Sequence, residues 1–301
     1  MQQLVAELKQ AGIGDVRVNE PLTKHTTWKI GGPADLLIIP GTDDELAAAL
    51  QLLLSHGIPW CLLGRGSNTL VSDKGVRGAV IKLGDGFDDA RFDGETVSVG
   101  AAFSFVKLSV MSGREGLTGL EFAGGIPGTV GGAVYMNAGA HGSDISRILQ
   151  SADIIWTDGS QSVLGKEEME FSYRHSILHE RQGIVTRAVF RLANGDRKEI
   201  AAAMATYKDR RRRTQPLQMA CAGSVFRNPP NDHAARLIEA AGLKGLREGA
   251  AEVSMLHANF IVNHGGAKAE DVLTLIQRVQ RTIEQTNGIL LVPEVLLLGE
   301  R

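Results

Sequence analysis

The chain has 301 residues, of which 43% are hydrophobic and 22% are charged, and its formal net charge is -2. This length predicts roughly two or three domains, and the near-neutral charge provides no field to draw the protein to nucleic acid or to an anionic membrane. The cysteines, Cys61 and Cys221, form neither a disulfide framework nor a zinc site and are typical of a reducing cytosol.

The first hundred residues alternate between predicted strands and helices, which is typical of an α/β unit. Residues 1–14 predict a short amphipathic helix without the apolar core of a signal peptide, and no stretch approaches the ~20 apolar residues of a membrane-spanning helix. We therefore expect a cytoplasmic protein without membrane insertion. Residues 34–39 predict a buried strand, and a helix begins at Asp43 and closes at His56. Further strands are predicted at 59–63, 79–83 and 96–99.

A helix is predicted at 103–113, before a glycine-dense stretch from Gly116 to Gly142. A helix over 196–213 ends before Pro216, so we predict a domain boundary near 209–216. The remaining predicted elements are strands at 151–156, 184–192, 259–263 and 289–298 and helices at 233–241 and 268–286.

Residues 64–68, GRGSN, follow a predicted strand. Two glycines that flank an arginine let successive backbone N–H groups point into one concavity, and such a nest binds anions, diphosphate among them. Ser67 and Asn68 add side-chain donors. The alternative is a glycine-rich turn between two strands.

A second glycine segment covers residues 124–142, and glycine is abundant throughout the chain, at 36 of 301 residues. Such a run could be a flexible linker. Ile126, Val130 and Val134 are residues of the buried type and favour a rigid loop whose backbone touches a ligand. Neither glycine segment matches G-x-G-x-x-G, and no P-loop motif occurs, so a Rossmann or P-loop site is disfavoured.

Three single residues are candidates for chemistry. Arg174, in YRHS, could clamp a carboxylate or phosphate, or could be an ordinary surface arginine. Ser224 follows a glycine but lies in no G-x-S-x-G motif, so a structural turn residue is its alternative. Glu294 lies in an apolar strand, where a buried carboxylate needs a partner or a proton, unless strand alternation exposes it. The basic run Arg210–Arg213 is typical of a solvated helix end. We predict no metal site.

In chain order, the segments TTWKIGGPADLLIIP, LGRGSNTLVSD, GLEFAGGIPGTVGGAVYMNAGAHG, YRHS, GSVFRNP, HANFIVN and PEV resemble the UDP-N-acetylenolpyruvoylglucosamine reductase family. The resemblance covers nearly the whole chain and implies an α+β protein. It implies an FAD-binding domain of the vanillyl-alcohol-oxidase/PCMH type in two α/β lobes, 1–85 and 86–208, and a C-terminal α+β substrate-binding domain, 209–301.

The same resemblance implies catalytic roles for Arg174, Ser224 and Glu294 and substrate binding by Tyr173, Arg227 and Asn228. It implies that a set of mostly glycine-loop residues binds FAD without a covalent bond: Gly64, Arg65, Gly66, Ser67, Asn68, Gly124, Gly125, Ile126, Pro127, Gly128, Asn137, Gly139 and Ala140.

The implied reaction is the NADPH-dependent reduction of UDP-N-acetylglucosamine enolpyruvate to UDP-N-acetylmuramate, a step of peptidoglycan precursor synthesis. Only 50 residues separate Arg174 from Ser224, which resembles the shorter, type II form of the family. That form lacks a tyrosine-bearing loop, which Tyr173, Lys208 or the arginine run could replace. The partners implied are small molecules, and we expect a monomer.

Two other functions stay open. One is a different enzyme of the same flavin fold, such as an oxidase of a hydroxylated small molecule, against which the combination of Arg174, Ser224 and Glu294 argues. The other is a catalytically silent module that binds a flavin or a nucleotide.

Overall fold

The computed structural model describes residues 1–300, which form two compact units. Unit 1 comprises Met1–Val18, Leu36–Gly64 and Gly78–Arg210. Unit 2 comprises Asn19–Asp35, Arg65–Arg77 and the chain from Arg211 onward. The three-part division at 85 and 208 remains a prediction.

The α-helices of the described chain are α1 (Gln2–Gln10), α2 (Asp43–Ser55), α3 (Phe105–Glu115), α4 (Val130–Tyr135), α5 (Arg197–Thr214), α6 (Ala234–Ala240) and α7 (Ala269–Asn287). The strands are β1 (Asp15–Pro21), β2 (Pro33–Ile39), β3 (Trp60–Leu62), β4 (Thr69–Val71), β5 (Val76–Ile81), β6 (Ala90–Asp93), β7 (Thr96–Gly100), β8 (Leu117–Thr118), β9 (Gly139–Ala140), β10 (Ser143–Asp144), β11 (Leu149–Trp156), β12 (Gln161–Gly165), β13 (Gly183–Arg191), β14 (Ala193–Asn194), β15 (Arg247–Glu248), β16 (Ala251–Val253), β17 (Ile261–Asn263) and β18 (Leu296–Leu298).

The larger sheet of unit 1 has the order β12-β11-β13-β7-β6, with antiparallel pairing between all neighbours. A second sheet has the order β1-β2-β5-β3, and the boundary between the units falls inside its first three strands. Helix α2 begins where predicted because the Thr42 hydroxyl accepts the Glu45 N–H and acidic residues occupy the first turn. Helix α3 ends at Glu115 and is capped by Gly116, whose φ of 78° favours glycine.

Unit 2 packs α6 and α7 with the antiparallel sheet β15-β16-β17 around one apolar core. The predicted apolar stripe of α7 is buried, and it consists of Val272, Leu275, Ile276, Val279 and Ile283. The Asp73 carboxylate accepts the backbone N–H groups of Ala269 and Glu270 and so caps α7 from a distant part of the chain.

The last predicted strand, 289–298, is much shorter in the structure. Only Leu296–Leu298 forms a strand, β18, and it runs parallel to β4 with Leu296 opposite Thr69. Upstream of it, Pro293 forms a single antiparallel bridge with Phe226. The pairing does not extend beyond this bridge, because the Val225 N–H donates to the Asn259 carbonyl and the Glu294 carbonyl accepts the Asn68 amide.

Within residues 1–300, no helix is long and apolar enough to cross a membrane, and no cluster of His, Cys, Asp and Glu side chains is arranged to hold a metal ion.

Trp28 anchors the N-terminal part of unit 2. Its side chain is fully buried, its indole N–H donates to the Ile261 carbonyl at 2.8 Å, and its own carbonyl accepts the Asn263 amide at 2.9 Å.

We expect Trp28→Phe to lower the free energy of unfolding by about 1–3 kcal/mol, because the buried carbonyl of Ile261 loses its donor. Urea unfolding followed by circular dichroism measures the change. Trp60→Phe is the control, since Trp60 is only partly buried, and an equal loss there would contradict the role assigned to the indole hydrogen bond.

Candidate active site

The first glycine loop, residues 64–68, leaves its backbone donors available. The Leu63 N–H donates to the Ile81 carbonyl, but within residues 1–300 the N–H groups of Gly64, Arg65 and Gly66 donate to no protein acceptor. Gly66 has a φ of 61°, and a Cβ there would lie 2.4 Å from the His25 carbonyl oxygen. Three consecutive amides without acceptors fit the anion nest predicted for this loop.

The second glycine loop leads into α4, and its glycines serve close packing. The Gly131 N–H donates to the Ala101 carbonyl, and a Cβ at Gly131 would lie 2.9 Å from the Ala101 Cβ. Gly128 has a φ of 136°, a conformation that favours glycine. Within unit 1, a Cβ at Gly64 would approach the Thr129 hydroxyl to 3.0 Å. The segment is therefore a rigid loop and not a linker.

Arg174 sits at the tip of a tight turn and is held against the end of the second glycine segment. Its φ is 57°, while Ser172 and His175 exchange backbone hydrogen bonds on either side of the turn. The guanidinium donates to the Gly139 carbonyl at 3.1 Å and lies 4.9 Å from the ring of Tyr173, which is half exposed. A non-glycine residue in this conformation needs support from its surroundings.

Asn137 and Ser176 provide that support. The Asn137 amide donates to the Ser172 carbonyl at 2.9 Å, and the buried Ser176 hydroxyl donates to the Tyr135 carbonyl at 2.7 Å. The Asn137 side-chain oxygen accepts the Ser146 N–H at 3.0 Å. Asn137, predicted to bind cofactor, thus uses its side chain to fix the Arg174 turn, and Ser176 was not singled out from the sequence.

In unit 2, the segments that carry Ser224 and Glu294 run side by side. The Glu294 N–H donates to the Val225 carbonyl at 2.7 Å, and the Arg227 N–H donates to the Val292 carbonyl at 2.9 Å. Ser224 and Glu294 are both partly buried. Within residues 1–300, no hydrogen bond occupies the Ser224 hydroxyl, so it is available to a ligand.

Asn259, which sequence reasoning missed, locks the Ser224 turn. Its buried side chain accepts the Phe226 N–H at 2.9 Å and donates to the Phe226 carbonyl at 2.8 Å, while its carbonyl accepts the Val225 N–H. The Asn259 N–H donates to Nδ1 of His257, and burial lowers the pKa of His257. The asparagine in HANF was a signal, because a buried amide in an apolar strand needs partners.

Among the remaining candidates of unit 2, two asparagines bond to the protein itself, and Arg227 does not use its Nε in this way. The Asn228 side chain accepts the Ala234 N–H at 3.1 Å and so holds the start of α6. The Asn68 amide donates to the Glu294 carbonyl at 3.2 Å. By contrast, Nε of Arg227 is buried and has no hydrogen-bond partner among the described residues, as expected of a donor that awaits an anionic ligand.

Comparisons with known proteins identify the family of this chain. Residues 34–165 match the model of an FAD binding domain, and residues 215–298 match the C-terminal domain of UDP-N-acetylenolpyruvoylglucosamine reductase. The chain is 52% identical to the UDP-N-acetylenolpyruvoylglucosamine reductase of Halalkalibacterium halodurans over all of both chains. It is 50% identical to that of Bacillus subtilis, with 99% of each chain covered. The chain belongs to the UDP-N-acetylenolpyruvoylglucosamine reductase family.

A solved family member has the same fold. The crystal structure of the reductase (MurB) from Thermus caldophilus superposes with a TM-score of 0.81 at 39% identity and covers 94% of this chain and 98% of that one. Berberine bridge enzyme from Eschscholzia californica, at 14% identity and a TM-score of 0.51, shares the fold over 64% of this chain and 44% of its own. The prediction of an FAD-binding fold of the vanillyl-alcohol-oxidase/PCMH type is confirmed.

We expect FAD to be held without a covalent bond. His141, the histidine of the second glycine segment, stacks its ring on Tyr207 at 3.9 Å with an interplanar angle of 3°. Burial raises the pKa of the Cys61 thiol to about 11, so this residue carries almost no nucleophilic thiolate at neutral pH. Acid precipitation should leave a yellow supernatant, whereas a yellow pellet with flavin mass on a His141 peptide would contradict the expectation.

Proposed function

We propose that this chain is an NADPH-dependent, FAD-containing reductase that converts UDP-N-acetylglucosamine enolpyruvate to UDP-N-acetylmuramate. The observation that carries the proposal is the hydrogen bond from the Glu294 N–H to the carbonyl of Val225, the residue after Ser224. Full-length similarity to named UDP-N-acetylenolpyruvoylglucosamine reductases supports the substrate. The proposed enzyme is a cytoplasmic monomer of the shorter, type II form.

The residues of the glycine loops fit FAD. The available amides of Gly64, Arg65 and Gly66 would bind its diphosphate. The backbone conformation of Gly128 suits a loop that lies close to a ligand. Bound FAD would supply the hydride chemistry, in which it accepts a hydride from NADPH and delivers it to the terminal carbon of the enol ether.

Arg174, Glu294 and Ser224 would handle the charge and the proton of the reaction. Hydride addition leaves negative charge on the carbon beside the substrate carboxylate. A guanidinium held in place by the Gly139 carbonyl can stabilise that charge without reorganising, and Glu294 would assist through its carboxyl group. The hydroxyl of Ser224 would donate a proton to the same carbon, which completes the saturated lactyl ether.

Arg227 and Tyr173 are the proposed contacts to the substrate. The buried Nε of Arg227 offers a donor to a phosphate or carboxylate, since it has no acceptor among the described residues. Tyr173, half exposed beside Arg174, is the proposed contact to the sugar or the enolpyruvyl group.

The first test of the proposal is the reaction itself. Purified protein should oxidise NADPH rapidly only when UDP-N-acetylglucosamine enolpyruvate is present, and mass spectrometry should identify UDP-N-acetylmuramate. Reduction of bound FAD by NADPH followed by reoxidation with oxygen alone would instead identify an oxidase of the same fold.

Ser224→Ala should slow the second half-reaction, in which substrate reoxidises the flavin, by roughly 10²-fold or more, the scale of general acid catalysis. Reduction of the flavin by NADPH should stay nearly unchanged, because that step needs no proton from Ser224. Stopped-flow absorbance separates the two halves, and equal slowing of both would make Ser224 a structural residue.

Glu294→Gln should also slow the second half-reaction by roughly 10²-fold or more. Glutamine keeps the shape of the side chain and the backbone bond to Val225, so the protein should stay folded. Thermal unfolding is the control measurement. A large fall in the unfolding midpoint with full activity per folded molecule would refute a chemical role for the carboxyl group.

A further inference from the structure

Both backbone polar groups of Glu294 are hydrogen-bonded. Its N–H donates to the Val225 carbonyl at 2.7 Å, next to Ser224. Its C=O accepts the Asn68 side-chain amide at 3.2 Å. The backbone from which the carboxyl group projects is therefore held between the Ser224 segment and Asn68, both of which belong to unit 2.

The Asn68 bond extends the pairing of β4 with β18 by one residue. Leu296 pairs with Thr69, and the Leu296 N–H donates to the Asn68 carbonyl at 2.9 Å. Beyond that point the backbone ladder ends, because the segment before Val295 bonds to the segment that follows Ser224. The side-chain amide of Asn68 satisfies the next carbonyl, that of Glu294, at the point where the chain changes partner.

The backbone N–H groups of the same loop are the ones proposed to bind the diphosphate of FAD. The backbone N–H groups of Gly64, Arg65 and Gly66, earlier in the same loop, donate to no protein acceptor among the described residues. The side-chain amide of Asn68, by contrast, donates one hydrogen bond to the Glu294 carbonyl. In this one short loop, the backbone is thus available to a ligand, while the Asn68 side chain holds the Glu294 backbone.

We propose that Asn68 is a positioning residue that fixes the backbone of Glu294 relative to the first glycine loop, and that it does not bind the cofactor through its side chain. The inference rests on the proposed function of Glu294. It differs from the assignment implied by the family resemblance, in which Asn68 belongs with the cofactor ligands, and it would confine side-chain contact with the cofactor in this loop to residues before Asn68.

Asn68→Ala and Asn68→Asp test the proposal, because both remove the donor and aspartate keeps the shape. Each should slow reoxidation of the reduced flavin by UDP-N-acetylglucosamine enolpyruvate about tenfold, the effect of one lost hydrogen bond of ordinary strength. The rate of reduction by NADPH and the dissociation constant of FAD should stay within about twofold of wild type, as expected for a residue that contacts neither.

Gln280→Ala is the matched control. The Gln280 side-chain amide donates to the Leu291 carbonyl at 2.9 Å, so this variant also removes an amide-to-carbonyl bond from the segment that leads to Glu294. The rate of flavin reoxidation should stay within about twofold of wild type, because the N–H and the C=O of Glu294 both keep their hydrogen bonds. Slowing equal to that of Asn68→Ala would overturn the proposal in favour of general stiffness of the segment.

A double-mutant cycle with Glu294→Gln identifies the route of the effect. If Asn68 acts through the carboxyl group, adding Asn68→Ala to Glu294→Gln should cause no further loss in the reoxidation rate. Losses that multiply would refute the proposal, as would loss of FAD from both Asn68 variants.

Hydrogen exchange of the FAD-free protein provides a readout that needs no turnover. Asn68→Ala should raise the exchange of a peptide covering 292–298, and Gln280→Ala should not raise the exchange of its 294–298 part. Unchanged exchange in Asn68→Ala would refute the contact. Failure of wild-type enzyme to use the enolpyruvyl substrate would refute the proposed function instead, and it would leave this exchange result standing.

Discussion

The arrangement of unit 2 depends on the parallel pairing of β18 with β4. This ladder joins segments more than two hundred positions apart in the chain, since Asn68 and Glu294 are separated by 226 residues. It brings the end of the first glycine loop alongside the strand that follows Glu294. This pairing sets the register between the loop and the Glu294 segment, to which the bond from the Glu294 N–H to the Val225 carbonyl adds.

Buried asparagines carry much of the remaining organisation. Asn259 bonds both polar groups of the Phe226 peptide, and Asn263 holds the Trp28 carbonyl while it accepts the N–H groups of Gly265 and Ala267. An amide side chain has a donor and an acceptor on one planar group, so it replaces a missing strand neighbour. The short irregular segment after Ser224 is thereby held in place without a continuous strand ladder.

Sequence reasoning predicted elements well where one local signal dominated. The acidic start of α2 and the apolar stripe of α7 are examples, and both helices begin within a residue of their predicted starts. It overestimated the last strand, because residues 289–295 are apolar enough for a strand but pair elsewhere, with Pro293 at the change of partner. Apolar character reports burial, not the identity of the neighbour.

For the site, motifs indicated which loops matter but not what their side chains contact. Asn137 and Asn68 stand in glycine segments, where a ligand contact is the natural expectation, yet the structure directs their amides to the Ser172 and Glu294 carbonyls. Such contacts join residues remote in sequence, so periodicity and spacing hold no information on them. Ser176 was missed for the same reason.

The discontinuity of unit 2 limits how family members can be recombined. A chimera with a single crossover near residue 210 would take Trp28 and β4 from one parent and Ile261, Asn263 and β18 from the other. The bonds from Trp28 to Ile261 and from Asn263 to Trp28, and the ladder between β4 and β18, would then join two lineages. Exchange of this module between relatives therefore requires three coordinated segments, and a single breakpoint preserves it only where both parents agree at these contacts.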